Sequence, residues 1–221
     1  MPNCKAMLEK RKLKECPMRH PIHILNLVGS IFLMAACGLT KSSGTANACS
    51  AGGTCKVYVS SGIHSGNLGG VSGADAICRT DINKPADGSI YKAFISDGTS
   101  RVACTTPNCK GGFREHKNWI IYPNTRYTRP DGAWIVTSNA AGIWMGGEIS
   151  DYVNDDFSKS KNSALLTGMS FDFTSTGNNC SAWRSTAGSA DVAASSDLQL
   201  PRGGDSRPCS QISNSLLCVQ Q

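Results

Sequence analysis

The side chains able to do covalent or metal chemistry in this chain are mainly thiols: eleven cysteines, at positions 4, 16, 37, 49, 55, 78, 104, 109, 180, 209 and 218. A cysteine acts as nucleophile or metal ligand when ionised and as a cross-link when oxidised, and each use needs different neighbours. Zinc needs free thiolates or clustered imidazoles, and only His64 and His116 lie beyond Cys37. A Ser-His-Asp hydrolase needs a positioned nucleophile, and no Gly-x-Ser-x-Gly elbow is present. A single histidine at 64 or 116 reads as a surface residue. Gly66-Asn67-Leu68-Gly69-Gly70 is a turn-forming loop without the spacing of a phosphate cradle. The expectation is a chain with no catalytic residue, metal or cofactor, and with its thiols oxidised.

One cysteine stands apart. Residues 22 to 36 are apolar almost throughout, interrupted by His23 and Asn26, and follow a basic segment that includes Lys10, Arg11, Lys12, Lys14 and Arg19. At about 1.5 Å per residue the run is too short to cross a bilayer of roughly 30 Å as a helix. A basic end, an apolar middle and small residues at the close form the plan of a secretory signal. Leu33-Met34-Ala35-Ala36-Cys37 further resembles the lipobox of bacterial lipoproteins, in which cleavage precedes a cysteine that is then acylated. Met34 is looser than the usual leucine. Residues 1–36 are therefore read as a signal peptide, Met18 offers a second start, and Cys37 is the expected lipidation site. Setting aside Cys4, Cys16 and Cys37 leaves eight cysteines, an even number as full pairing in an oxidising compartment requires.

The charge changes meaning once the leader is separated. The whole chain carries +6, from 22 basic and 16 acidic residues, but residues 1–36 hold six Lys/Arg and two Glu, leaving 16 against 14. A surplus of +2 is no electrostatic footprint for nucleic acid. Residues 37–55 are read as the lipidated cysteine and a flexible tether ending in the small Cys49–Cys55 segment. Gly38 to Ala48 is small and polar, and as a flexible coil would span about 18 Å.

The remainder, 56–221, must position everything else. Abundant Gly, Ser, Thr and Asn, sparse charge and no long amphipathic pattern point to short strands joined by many loops. Lys56–Ser60, Tyr91–Ser96, Trp119–Tyr122, Ala164–Met169 and Ser215–Val219 have strand composition. Val71, Ala74, Ile77 and Cys78 recur at helical spacing, with Ser72 as N-cap. Tyr127–Arg129 and Ala133–Thr137 flank Pro130-Asp131-Gly132, a hairpin with its turn written out. Gly142–Met145 and Cys180–Trp183 are further apolar stretches. Cys104-Thr-Thr-Pro-Asn-Cys109 can close on itself as a small disulfide loop around Pro107-Asn108.

The series Gly66-Asn-Leu-Gly-Gly70, Gly73-Ala-Asp-x-x-Cys78, Pro123-Asn-Thr-x-Tyr127, Asn139-x-x-Gly-Ile143, Cys180-Ser-Ala-Trp183 and Cys209…Cys218 is similar to the endostatin-like lipoproteins of Leptospira. The resemblance covers nearly all of 56–221. It implies an α+β, C-type lectin-like (endostatin-like) domain of mixed, mostly antiparallel short strands with one or two helices and long loops. It also implies a nested pairing, Cys78 with Cys218 and Cys180 with Cys209 inside it, with the first and last strands side by side. Cys49–Cys55 and Cys104–Cys109 are left as local pairs.

The resemblance implies a non-enzymatic protein of the outer membrane and cell surface, adhesin-like, binding host extracellular-matrix proteins (laminin, fibronectin) or the complement regulator factor H. The alternatives are a structural envelope lipoprotein without a host ligand and a carbohydrate-binding lectin-like module. A lectin calcium site would need several converging oxygens. The triplet here is Tyr122-Pro123-Asn124, Asn178-Asn179 precede Cys180 without Trp or Asp, and the acidic cluster Asp151, Asp155 and Asp156 reads as a solvated loop. Trp119, Trp134, Trp144 and Trp183 read as core residues. Arg114, Lys117, Arg126 and Arg129 are the candidate ligand-contacting residues, although strand alternation sets 126 and 129 on opposite faces.

Overall fold

The computed structural model describes residues 48–144, 157, 164–194 and 205–221. The leader, Cys37 and most of the tether lie outside them, as do Asp151, Asp155, Asp156 and Met145. The described residues belong to one compact unit. None of their helices is long and apolar enough to cross a membrane.

The fold is α+β, with two small mixed sheets. The larger has five strands: β1 (Thr54–Val59), β2 (Tyr91–Ala93), β3 (Arg126–Thr128), β4 (Trp134–Thr137) and β9 (Leu217–Gln220), in the order β2-β9-β1-β3-β4. Only the β1–β3 pair is parallel. The smaller joins β5 (Ala164–Leu166), β6 (Ser189–Ala194), β7 (Asp205–Pro208) and β8 (Asn214–Ser215) in the order β7-β6-β5-β8. The first and last strands are antiparallel neighbours, with Tyr58 opposite Cys218. Because successive strand residues face opposite ways, a central strand must be apolar on both sides. Val57 and Val59 of β1 and Leu217 and Val219 of β9 enter one core cluster, while Tyr58 and Cys218 enter the other.

Helix α1 (Gly70–Thr80) lies against β2. Its buried residues Val71, Ala74, Asp75 and Cys78 follow the i, i+3, i+4, i+7 rule, so an aspartate stands in the apolar stripe. The helix starts earlier than a Ser72 cap would have it. Gly69 is the N-cap, in the left-handed region at φ 79°, and Ser72 sits inside the first turn without capping it. Glycine takes that conformation without the penalty other residues meet.

The disulfides join Cys49 to Cys55, Cys78 to Cys218, Cys104 to Cys109 and Cys180 to Cys209. The long bridge ties α1 to the last strand, and this is the pairing that the resemblance implied. The 127–137 hairpin is also present, as β3 and β4 in antiparallel register.

Two strand expectations require correction, and a third segment takes a form the sequence did not indicate. Trp119–Tyr122 forms no strand: the Tyr122 N–H donates to the Tyr127 hydroxyl at 2.8 Å and the Trp119 indole to the Gly142 carbonyl at 2.9 Å, so side chains replace a neighbouring strand. Ser215–Val219 is two strands, because the chain passes from the small sheet to the large one at Leu216, whose N–H and C=O are taken by Ser60. Cys180–Trp183 is α2, a single turn whose φ angles are all positive: 53°, 53°, 56° and 63°.

Candidate functional site

Two segments singled out in the sequence, Gly66–Gly70 and Cys180–Trp183, meet in space. The Leu68 N–H donates to the Trp183 carbonyl at 3.0 Å, and Asn67 pairs with Arg184 in an isolated antiparallel bridge. Their approach is so close that a Cβ on Gly66 would lie 2.0 Å from Cys180 Sγ. Gly73 is confined in the same way, since a Cβ there would lie 1.9 Å from the Leu68 carbonyl oxygen.

Non-glycine residues rarely adopt positive φ, each at a cost of order 1–3 kcal/mol, and four in succession must be held by their surroundings. Several contacts hold α2. The Asn179 side chain accepts from the Ala182 N–H and donates to the Asp97 carbonyl, each at 3.0 Å. The Trp183 indole, fully buried, donates to the Ser96 carbonyl at 3.0 Å, and the Cys180–Cys209 disulfide fixes the other end.

Between α1 and α2 opens a cleft of about 330 Å³, lined by Ser72, Asp75, Asp97, Asn118, Ala182 and Arg184 among others. Its floor carries two carboxylates, Asp75 and Asp97. Asp75 receives Arg101 through two nearly parallel bonds of 2.9 and 2.8 Å, and its Oδ1 also accepts the Ala93 N–H at 3.0 Å. Arg101 is fully buried and donates further to the carbonyls of Ala93 and Asn118. Asp97 accepts from the N–H groups of Thr99, Ser100 and Arg101 and from the Ser100 hydroxyl. Burial works against its charge, but those donors outweigh burial and hold its pKa below the usual carboxylate range.

The four basic residues expected to contact ligand fare differently. Arg114 and Lys117 are exposed. Arg126 is exposed and stands over the Trp134 ring at 4.9 Å, a contact worth about 0.5–1 kcal/mol at an exposed site. Arg129 is only 6 % exposed and pairs with Asp131 at 3.3 Å, so it is no part of a basic surface strip. It lines a separate hollow of about 270 Å³ with Tyr58, Asn83, Asp131 and Phe157. The tryptophans divide in a comparable way: Trp144 and Trp183 are fully buried and Trp119 partly so, but Trp134 is 42 % exposed, contrary to a core role.

His64 and His116 are both half-buried. Both ring nitrogens of His116 face backbone carbonyls, those of Ala103 and Ala141. The His64 Nε2 is buried without a hydrogen-bond partner, and burial lowers its pKa against the opposing pull of Asp81. Among the described residues no three His, Cys, Asp or Glu side chains gather as metal ligands would. The Asn178 amide donates to Asp191 and its oxygen accepts from Ser189, while Asn179 is the cap described above.

Sequence reasoning missed Arg101 and Arg184. Asp75 offered a signal, a carboxylate in a helix's apolar stripe that requires a buried cation. Arg184 had none beyond its position beside Trp183. Residues 61–198, well over half the chain, match the family described as "Protein of unknown function (DUF1554)". No curated protein matches the chain.

Proposed function

Given that the chain belongs to the DUF1554 family, whose description assigns no activity, we propose that it is an exported, lipid-anchored, non-enzymatic binding protein. On this reading Cys37 carries the lipid at the outer membrane. The domain, C-type lectin-like and related to the leptospiral endostatin-like lipoproteins, faces outward and engages host matrix proteins such as laminin and fibronectin, or factor H.

The observation that carries the reading is the covalent bracing. Four disulfides, two of them spanning 140 and 29 residues, suit an oxidising compartment and hold a surface made mostly of loops. The adjacency of β1 and β9 and the Cys78–Cys218 bridge between helix and last strand support the lectin-like architecture. The engagement of both His116 ring nitrogens with backbone carbonyls supports a non-catalytic role.

The test is direct binding of the oxidised chain, from Cys49 to Gln221, to immobilised laminin, fibronectin and factor H. Saturable binding that is lost on reduction is expected, and absence of saturable binding by correctly paired protein would remove the proposal. Protease treatment of intact cells separates it from a structural envelope lipoprotein, because a domain facing the periplasm would survive.

A further inference from the structure

We infer that His64 is an acid-sensitive latch: protonation of its ring unfastens the seam that joins the end of β1 to the crossing between the two sheets. The latch is a property of the fold and does not depend on what the protein binds.

The seam consists of hydrogen bonds between residues 60–66 and 209–216. The Ser60 N–H donates to the Leu216 carbonyl at 2.8 Å, and the Ser60 hydroxyl oxygen accepts the Leu216 N–H at 2.9 Å. The His64 N–H donates to the Asn214 carbonyl at 2.7 Å and the Gly66 N–H to the Cys209 carbonyl at 2.8 Å. Leu216 is where the chain leaves the small sheet for the large one, so the seam holds the two sheets at their crossing. The Cys180–Cys209 and Cys78–Cys218 disulfides anchor both ends of the second segment, so the seam can part while the domain stays assembled.

The His64 ring is half-buried in this seam. It lies over Gly62, where a Cβ would come within 3.1 Å of both Cε1 and Nε2. Asn214, opposite it in an isolated antiparallel bridge, is only 1 % exposed. The His64 Nε2 and the Asn214 Oδ1 are both closed off from solvent, and neither has a hydrogen-bond partner among the described residues. The Asn214 amide nitrogen is turned to the carbonyls of Gln211 and His64, at 3.0 and 3.4 Å. A neutral ring leaves one lone pair unmatched there. A charged ring would bury an N–H with nothing to receive it, which costs considerably more.

Asp81, the C-cap of α1, is the charged group that acts on the ring. Its carboxylate accepts from the Ser61 N–H and hydroxyl and from the Asn83 N–H, so it pulls on His64 without pairing with it. Apart from the disulfide-bonded Cys209, residues 60–66 and 209–216 hold no other titratable side chain. Burial outweighs the pull of Asp81 and sets the pKa of the closed form below the ordinary 6.5. Above 6.5 the ring is neutral whether the seam is closed or open, and opening does not depend on pH. Below it the open form takes a proton that the closed form refuses, so the open fraction grows by up to about tenfold per pH unit until the closed form itself titrates.

Amide hydrogen exchange of the full, oxidised chain, followed by NMR at about pH 7.5 and about pH 5 and corrected for intrinsic exchange rates, provides the test. Protection of the Ser60, His64, Gly66 and Leu216 amides should fall by at least about threefold on acidification, while β2 and β3 keep theirs. In His64→Gln, or in His64→Phe where the first variant folds poorly, that fall should vanish. The His64 ring signals of the parent should titrate below 6.5. Unchanged seam protection in the parent, an equal fall in the folded variant, a fall shared by β2 and β3, or titration of His64 at or above 6.5 would each overturn the latch.

Discussion

Asp75 and Arg101, 26 residues apart in sequence, meet as a two-bonded ion pair with the guanidinium fully buried. Desolvating two charges offsets much of their attraction, whereas leaving one of them alone is costly. Arg101→Met or Asp75→Leu should therefore each lower unfolding free energy by about 3–5 kcal/mol. The double replacement Asp75→Leu with Arg101→Met should recover a substantial part of that loss. Urea unfolding of the three variants in a double-mutant cycle checks this, and strict additivity would show that the two groups do not act as a pair.

Among the disulfides, the long bridge should matter most. Closing a loop of 140 residues contributes about 5 kcal/mol in the chain-entropy account, one of 29 about 3.6, and the local ones of six and five about 2. Cys78→Ala with Cys218→Ala should lower the melting temperature well beyond Cys49→Ala with Cys55→Ala. Calorimetry of the two double variants decides it, and equal losses would refute the ordering.

The Cys104–Cys109 loop is organised by an acid. The Glu115 carboxylate accepts from the Thr106 hydroxyl at 2.6 Å and from the N–H groups of Thr105 and Thr106 at 2.7 Å each. The Thr106 hydroxyl, the N–H groups of Thr106 and Gly111 and the Thr105 hydroxyl outweigh desolvation and lower its pKa from 4.5 to about 2. A depressed carboxylate pKa means that its contribution is complete above pH 4.5 and is lost as pH falls through about 2. Amide signals of residues 104–111 should titrate in that acid window and should do so no longer in Glu115→Gln. An NMR pH series provides the measurement.

The close approach at Gly66 leaves no space for a methyl group. Gly66→Ala sets a Cβ 2.0 Å from Cys180 Sγ, so backbone or disulfide must move, at about 1–3 kcal/mol or more for overpacking. Gly132→Ala, where a Cβ would meet nothing within 4 Å, carries only the strain of φ +90°. The first should lose more stability than the second, as denaturant midpoints will show.

The tryptophans provide an internal contrast. Trp144 stacks on Phe94 at 4.7 Å and is fully buried, so Trp144→Ala should cost about 3–5 kcal/mol. Trp134, exposed under Arg126, should cost no more than about 1 kcal/mol, with the cation–π contact its main loss. Equilibrium unfolding of both variants tests the difference.

Much of the local architecture was legible because it rests on short-range rules. Val71, Ala74 and Cys78 announced a helix through their spacing, and Pro130-Asp131-Gly132 announced a hairpin through its turn chemistry. Trp119–Tyr122 misled because strand composition states only that a segment is apolar and stiff. Whether a neighbouring strand or the Tyr127 hydroxyl receives its N–H groups depends on residues elsewhere. The single run from Ser215 to Val219 misled in the same manner, since its division at Leu216 is made by Ser60, 156 positions away.

By itself, then, the sequence determined the helix and the hairpin, since periodicity and turn preference are properties of neighbouring residues. Tertiary structure alone decided that Arg101 would be buried against Asp75, that Arg129 would leave the surface, and that Gly66–Gly70 and Cys180–Arg184 would meet. Those outcomes depend on desolvation and close packing between distant segments. Both are settled only when the chain has closed upon itself.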